Sequence, residues 1–290
     1  MKRSDVPTRL APRLAPRLAL VGPGRAGTTL ALAFVARGHE ATAVAGRAPD
    51  ARATVEVAAR LGARPAALED AGRDADLVIV APPDAAVAHA ACAMVPSLRP
   101  GALVVHLAGS LGLDAFAAAA RLRPDVRFGA LHPLVSIPSP DIGLARLPGA
   151  WCAIAGDPDV IELARELTMQ PFSVVDADRA RYHAAAAVAA NHLVALLGQV
   201  ERLAVAAGVP FEAFLPLVRS AVDNTASLGP AAALTGPVAR GDAATVEAHL
   251  HALPPGEDAT YRALATEALR LAAHGEPAVR ALLEPAERVR

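Results

Sequence analysis

The sequence predicts an α/β fold, a parallel sheet flanked by helices and followed by an all-helical domain, and three observations predict it. Aliphatic runs bounded by glycine or proline alternate with alanine-rich helical patterns from residue 18 to residue 175. The first run passes through G-x-G-x-x-G straight into a helical pattern. From Asp178 onward the strand signals stop.

The first element spans residues 18–30, LALVGPGRAGTTL. An apolar strand, a glycine turn and a helix in that order are the parts a dinucleotide site requires, and each glycine has its own task. Gly22 permits the tight turn, Gly24 lets the backbone approach a pyrophosphate, and Gly27 lets the helix pack on its strand. Pro23, Arg25 and Ala26 complete the turn, whose free N–H groups sit at a positive helix end. This is a Rossmann-type start. The alternative is an ordinary glycine turn.

The second strand, residues 41–47, sets the expectation for the cofactor. NAD sites place an acid at this strand end, whereas here Arg47, helped by Arg52, offers guanidinium donors suited to a 2′-phosphate. NADP is therefore expected, and Asp50, the nearest acid, keeps NAD open.

Residues 76–84, DLVIVAPPD, read as a buried strand, a proline-stopped loop and then a helix from about Ala85. Such a loop lies at the carboxyl edge of the sheet, where open α/β folds bind ligands, so Ala81, Pro82 and Pro83 are expected beside the nicotinamide half of the cofactor. Two further strands, residues 103–110 and 126–133, bring His106, Ser110 and His132 to the same edge. Each imidazole titrates near neutrality and suits proton delivery to a substrate; the alternative for each is a hydrogen-bonded structural histidine. Residues 150–156 form another buried strand with a helix from about Val160, and residues 172–175 close this half. Trp151 and Cys152 are assigned to packing, because nothing nearby would activate the thiol.

Residues 180–207 are apolar on nearly every helical face. A helix of that kind must be covered, in a large core or between two subunits, so a homodimer through the helical domain is expected. His183, Ala187 and Asn191 recur at i, i+4 and i+8 and form one stripe; facing the cofactor cleft, His183 and Asn191 would converge on the substrate. Residues 235–242 read as a structured turn, with Asp242 capping the helix that follows, and Thr235, Arg240, Asp223 and Asn224 as secondary ligand candidates. No metal site is expected: His249 and His251 are one residue apart and point to different faces of a helix.

Composition bounds the partners. A length of 290 residues suits about two domains, and 53% hydrophobic against 20% charged residues supplies ample core for a soluble enzyme. A net charge of −1 and only 3% aromatics leave neither a phosphate-tracking surface nor a stacking platform, so nucleic acid is not expected. Cys92 and Cys152, without C-x-x-C spacing, read as reduced thiols in a cytoplasmic protein. Residues 1–16, interrupted by three prolines, read as a flexible extension without a secretory core. The apolar stretch from Ala184 is interrupted by Asn191 and His192, short of the roughly twenty residues that cross a bilayer, so no membrane span is expected.

Gly-Pro-Gly-Arg-Ala-Gly at 22–27, His-Leu-Ala-Gly-Ser at 106–110, Leu-His-Pro-Leu at 131–134, Tyr-His-Ala-Ala-Ala at 182–186 and the run 233–242, in this order, resemble the Rossmann-like proteins with a DUF2520 carboxyl-terminal domain. The resemblance covers nearly all the chain after the extension. It implies an NADP-dependent oxidoreductase built like ketopantoate reductase, pyrroline-5-carboxylate reductase and the β-hydroxyacid dehydrogenases. Its parts would be a dinucleotide domain at 17–176 and a helical dimerisation domain of the 6-phosphogluconate-dehydrogenase type at 177–290. The β-hydroxyacid dehydrogenases carry a catalytic Lys with an Asn four residues later. Matching Asn191 to that Asn places Ala187 on the Lys, so the usual ammonium is missing and His183 or His132 stands in as the acid, with Asn191 and Ser110 holding the substrate. A non-catalytic NADP sensor and, through Ala108-Gly109-Ser110-Leu111-Gly112, a serine hydrolase are the competing classes.

Overall fold

The computed structural model describes residues 16–272 and 277–284; residues 1–15 of the expected extension lie outside them. By contacts the chain divides into two units, residues up to Ala190 and residues from Asn191.

The first unit alternates strand and helix. Its elements are β1 (Arg17–Val21), α1 (Arg25–Ala36), β2 (Glu40–Ala45), α2 (Arg52–Leu61), β3 (Arg64–Pro65), β4 (Leu77–Val80), α3 (Val87–Met94), β5 (Leu103–His106) and α4 (Ala117–Leu122). There follow β6 (Arg127–Pro133), α5 (Pro140–Arg146), β7 (Trp151–Gly156), α6 (Asp159–Glu166), β8 (Gln170–Ser173) and α7 (Arg179–Ala187). The strands form one eight-stranded sheet in the order β3-β2-β1-β4-β5-β6-β7-β8.

Strand alternation buries both faces of this sheet. Leu18 and Leu20 of β1, Ile79 of β4, Val105 of β5 and Leu131 of β6 join one core. Ala19, Val21, Val78, Val80 and Val104 join the other. Leu20 and Leu30 are each 1% exposed and Val44, Val78 and Val104 fully buried.

One pairing departs from the all-parallel expectation. β7 runs antiparallel to β6, with His132 opposite Ala153 and Leu131 opposite Ile154. The chain between them does not cross over the sheet: α5 lies against α1, and a Cβ on Gly143 would stand 2.7 Å from Thr29 Oγ1. A parallel return needs a crossover, and without one β7 enters reversed. Trp151 also departs from its packing assignment: it is 53% exposed at the start of β7, its ring edge-on to Phe172 (6.0 Å), whereas Cys152 is fully buried.

The described residues of the second unit form helices and their connections: α8 (Leu193–Ala206), α9 (Leu215–Leu228), α10 (Pro230–Ala233), α11 (Pro237–Arg240), α12 (Ala243–Ala252), α13 (Asp258–Leu271) and α14 (Pro277–Leu283). A small core of Val246, Ala265, Leu269, Val279 and Leu283 holds its last helices together. Val194, Val205, Leu217, Val222 and Leu228 of α8 and α9 are exposed.

Asn191 and His192 do not interrupt the long apolar helix. Helical structure runs from Asp176 to Ala206, 31 residues that are long and apolar enough to cross a membrane by length and composition. Asn191 and His192 lie within that run, as the helical pattern over 180–207 expects, since neither Asn nor His breaks a helix as proline does. They sit in a π-helical segment, Val188–His192.

Candidate functional site

The turn after β1 has the geometry its three glycines foretell. Gly22 adopts φ +89°, and a Cβ there would stand 2.5 Å from the carbonyl carbon of Ala81, so the turn lies directly on the end of β4. Gly27 fits between strand and helix, where a Cβ would lie 2.7 Å from Gly22 O and 2.9 Å from Leu20 Cδ1. Gly24 is different: it is exposed, and nothing among the described residues stands within 4 Å of its Cβ direction. The first helical bond, Thr28 N–H to Gly24 O (2.9 Å), leaves the N–H groups of Arg25, Ala26 and Gly27 ahead of it without intrahelical acceptors. Open backbone in front of free amide donors suits a diphosphate.

The ends of β2 and β4 flank this turn. A Cβ on Gly46 would stand 3.3 Å from Pro23 Cγ, so Arg47, the next residue and exposed, leaves from the rim of the glycine turn. Arg52 does not join it: its guanidinium pairs with Glu56 (2.7 Å) and is 91% exposed. Ala81 donates its N–H to Val21 O (2.7 Å), which fixes the start of the Ala81-Pro82-Pro83 loop beside Gly22.

A second cluster gathers where β5, β6 and α7 end or begin. His132 Nδ1 lies 2.7 Å from the Tyr182 hydroxyl, and the His132 and His183 rings meet edge-on with centroids 5.7 Å apart. Gly109 closes the group: a Cβ there would stand 2.6 Å from His183 Nδ1 and 2.8 Å from His132 Nε2. Burial, and then the His183 and Arg179 charges, push the His132 pKa down to about 4. Burial pushes the Tyr182 phenol up to about 12. Both side chains are therefore neutral at pH 7 and meet as a hydrogen-bonded pair. Ser110 Oγ donates to Asp84 Oδ2, joining the loops after β5 and β4.

His106 occupies a different place from the other two imidazoles. It is fully buried, tilted against Phe116 at 5.1 Å, and its Nε2–H donates to Gly112 O (3.2 Å). Burial pushes its pKa down to about 4. It holds the loop that carries Gly109 and Ser110. From the other side Asp176 accepts the Leu113 N–H (3.0 Å) and presses on Gly112.

Asn191 and the other carboxyl-terminal candidates belong to the second unit. Asn191 is exposed within the π segment. Asp242 caps α12, accepting the Thr245 N–H (3.1 Å), and His249 Nδ1 meets the Tyr261 hydroxyl (2.9 Å). Gly109, Asp84, Asp176, Tyr182 and Arg179 are the residues that sequence reasoning passed over. Tyr182 and Gly109 stood inside quoted motifs, and their polar or small character next to His183 and Ser110 was the available signal; for Arg179 there was none.

Two family models match the chain. Residues 17–109 match a family described as NADP oxidoreductase, coenzyme F420-dependent, and residues 151–268 match DUF2520, a domain of unknown function. Both agree with the resemblance carried by the motifs. Among solved structures, BF3122 from Bacteroides fragilis, provisionally an NADP oxidoreductase, is 22% identical over 89% of this chain and 97% of its own, with a TM-score of 0.72. Protein TM1727 from Thermotoga maritima is 23% identical over 89% of this chain and 100% of its own, TM-score 0.71. An imine reductase from Myxococcus stipitatus, in complex with NAD+, is 21% identical over 92% of this chain and 99% of its own, TM-score 0.58. At these identities the likeness is one of fold. No curated protein matches the chain.

Proposed function

From the premise that the chain is a Rossmann-like protein carrying a DUF2520 domain, we propose that it is a cytoplasmic NADP-dependent oxidoreductase acting on a small carbonyl, imine or hydroxy-acid substrate. The observation that carries this reading is Gly24, whose exposed Cα opens in front of three free amide donors while Gly22 and Gly27 are locked by packing. The match of residues 17–109 to a family of NADP oxidoreductases supports it.

The amides of Arg25, Ala26 and Gly27 hold the pyrophosphate, and Arg47 meets the 2′-phosphate; Asp50 is the group through which NAD would be accepted instead. The Ala81-Pro82-Pro83 loop would hold the nicotinamide half of the cofactor. Bound there, the cofactor supplies or accepts the hydride. The protein orients the substrate and handles the proton. His183 is the proton donor; His132, neutral at pH 7, is a hydrogen-bond donor fixed by Tyr182. Ser110, anchored by Asp84, holds the substrate. Asn191 enters only as the residue matched to the dehydrogenase Asn.

NADPH oxidation against 2-oxo acids and cyclic imines, with NADH alongside, tests the reading. Turnover with NADPH preferred is expected, and His183→Gln is expected to slow the single-turnover rate by about 100-fold or more. An unchanged rate removes His183 from its role. Ala187, standing where related dehydrogenases carry lysine, favours the second reading, an NADP sensor; tight NADPH binding without turnover of any carbonyl or imine would establish it. We further propose a homodimer through the exposed apolar residues of α8 and α9.

A further inference from the structure

Arg179, the first residue of α7, is 1% exposed, the most buried charged side chain among the described residues. Its Nε, Nη1 and Nη2 are all enclosed, and none has a hydrogen-bond partner among the described residues. The nearest carboxylate, Asp176, stands 4.0 Å from Nε and is already engaged by the Leu113 N–H. The other groups that feel its charge are His106, His132, Cys152 and Tyr182. None of them supplies an anion: the histidines are neutral at pH 7, and burial pushes the Cys152 thiol and the Tyr182 phenol each up to about 12. A guanidinium stays protonated at any ordinary pH, and burying one without a full counter-charge is strongly unfavourable. Such a group is retained where an anion completes it.

Its position says which anion. Arg179 and His183 are four residues apart on α7 and so share one helical face about one turn, or roughly 5.4 Å, apart. A molecule bearing a carboxylate next to a reducible carbon spans that interval. We propose that Arg179 is the carboxylate-binding end of the substrate site, and that the substrates are 2-oxo or 2-imino acids whose carboxylate pairs with its guanidinium while the reacting carbon faces His183. This inference rests on the dinucleotide-dependent reading above and narrows its substrate class. The glycines beside this face leave no room for side chains: a Cβ on Gly109 would collide with His132 and His183, and one on Gly112 with Asp176.

Calorimetric titration of the NADPH-loaded protein with oxalate and with oxamide, its uncharged counterpart, tests this. Oxalate is expected to bind at least about tenfold more tightly than oxamide, and Arg179→Met to weaken oxalate by roughly 30-fold or more while leaving NADPH affinity unchanged. Arg179→Lys is expected to keep part of the affinity. Equal binding of oxalate and oxamide, or unaltered oxalate binding by Arg179→Met, overturns the assignment. Should Arg179→Met fail to fold, the comparison of the two probes on the native protein decides alone. Native protein that takes NADPH but shows no preference for oxalate sinks only the Arg179 proposal; native protein that takes no NADPH sinks both.

Discussion

Gly22 and Gly24 sit two residues apart in one turn and fail in different ways when substituted. At Gly22 a side chain meets backbone at 2.5 Å and an unfavourable positive φ, so Gly22→Ala is expected to destabilise the first unit by about 2 kcal/mol or more, measured by urea unfolding. At Gly24 the protein itself has room, so substitution there is expected to leave unfolding unchanged. This part of the site was legible because a glycine turn states its requirements locally, in spacing and flanking elements. The imidazole cluster was legible only as candidates. Which histidine faces a ligand and which fills the core depends on the neighbours that β5, β6 and α7 bring: Phe116 and Gly112 enclose His106, whereas Tyr182, His183 and Gly109 surround His132.

The buried histidines also make stability pH-dependent. His106 has a folded pKa of about 4 against about 6.5 unfolded, so the unfolded chain binds the extra proton between those values. Its contribution is complete above pH 6.5 and is lost as pH falls toward 4, about 2 kcal/mol having gone by pH 5. Urea unfolding at pH 7.5 and pH 5 reads this directly. His106→Gln, able to keep the bond to Gly112 O, is expected to flatten that part of the slope; a slope unchanged by the substitution would contradict the burial argument.

At the scale of elements, the order of strands and helices followed from hydrophobic runs and their punctuation, but the reversal of β7 did not. Its direction is decided by α5 lying on α1, a tertiary contact that no periodicity in residues 150–156 records. The π segment at Val188–His192 was equally hidden, because a helical repeat says nothing of an i to i+5 bond. The junction after β5 matters most for chemistry. Gly109→Ala is expected to displace the His132 and His183 rings and lower turnover by about 100-fold while NADPH affinity holds. Equal loss of cofactor binding would show that the two clusters are not separable.

For the whole molecule, the exposed apolar residues of α8 and α9 ask for cover, and the expectation of a buried long helix is met only if a partner supplies it. Val205 is 74% exposed and Val194 69%. Sedimentation equilibrium is expected to return twice the chain mass of 29.6 kDa, and Val194→Glu with Leu217→Glu to shift the protein toward monomer. A monomer at micromolar concentration that partitions into lipid vesicles would instead assign the helix Asp176–Ala206 to a membrane.

The grip of the glycine turn on a dinucleotide underlies all of this, and titrating NADPH and NADH into the native chain and into Gly24→Val tests it most directly. The expected result is heat of binding with NADPH the tighter ligand, abolished by Gly24→Val at unchanged thermal stability. No heat with either nucleotide, or undiminished binding by the valine variant, would contradict it.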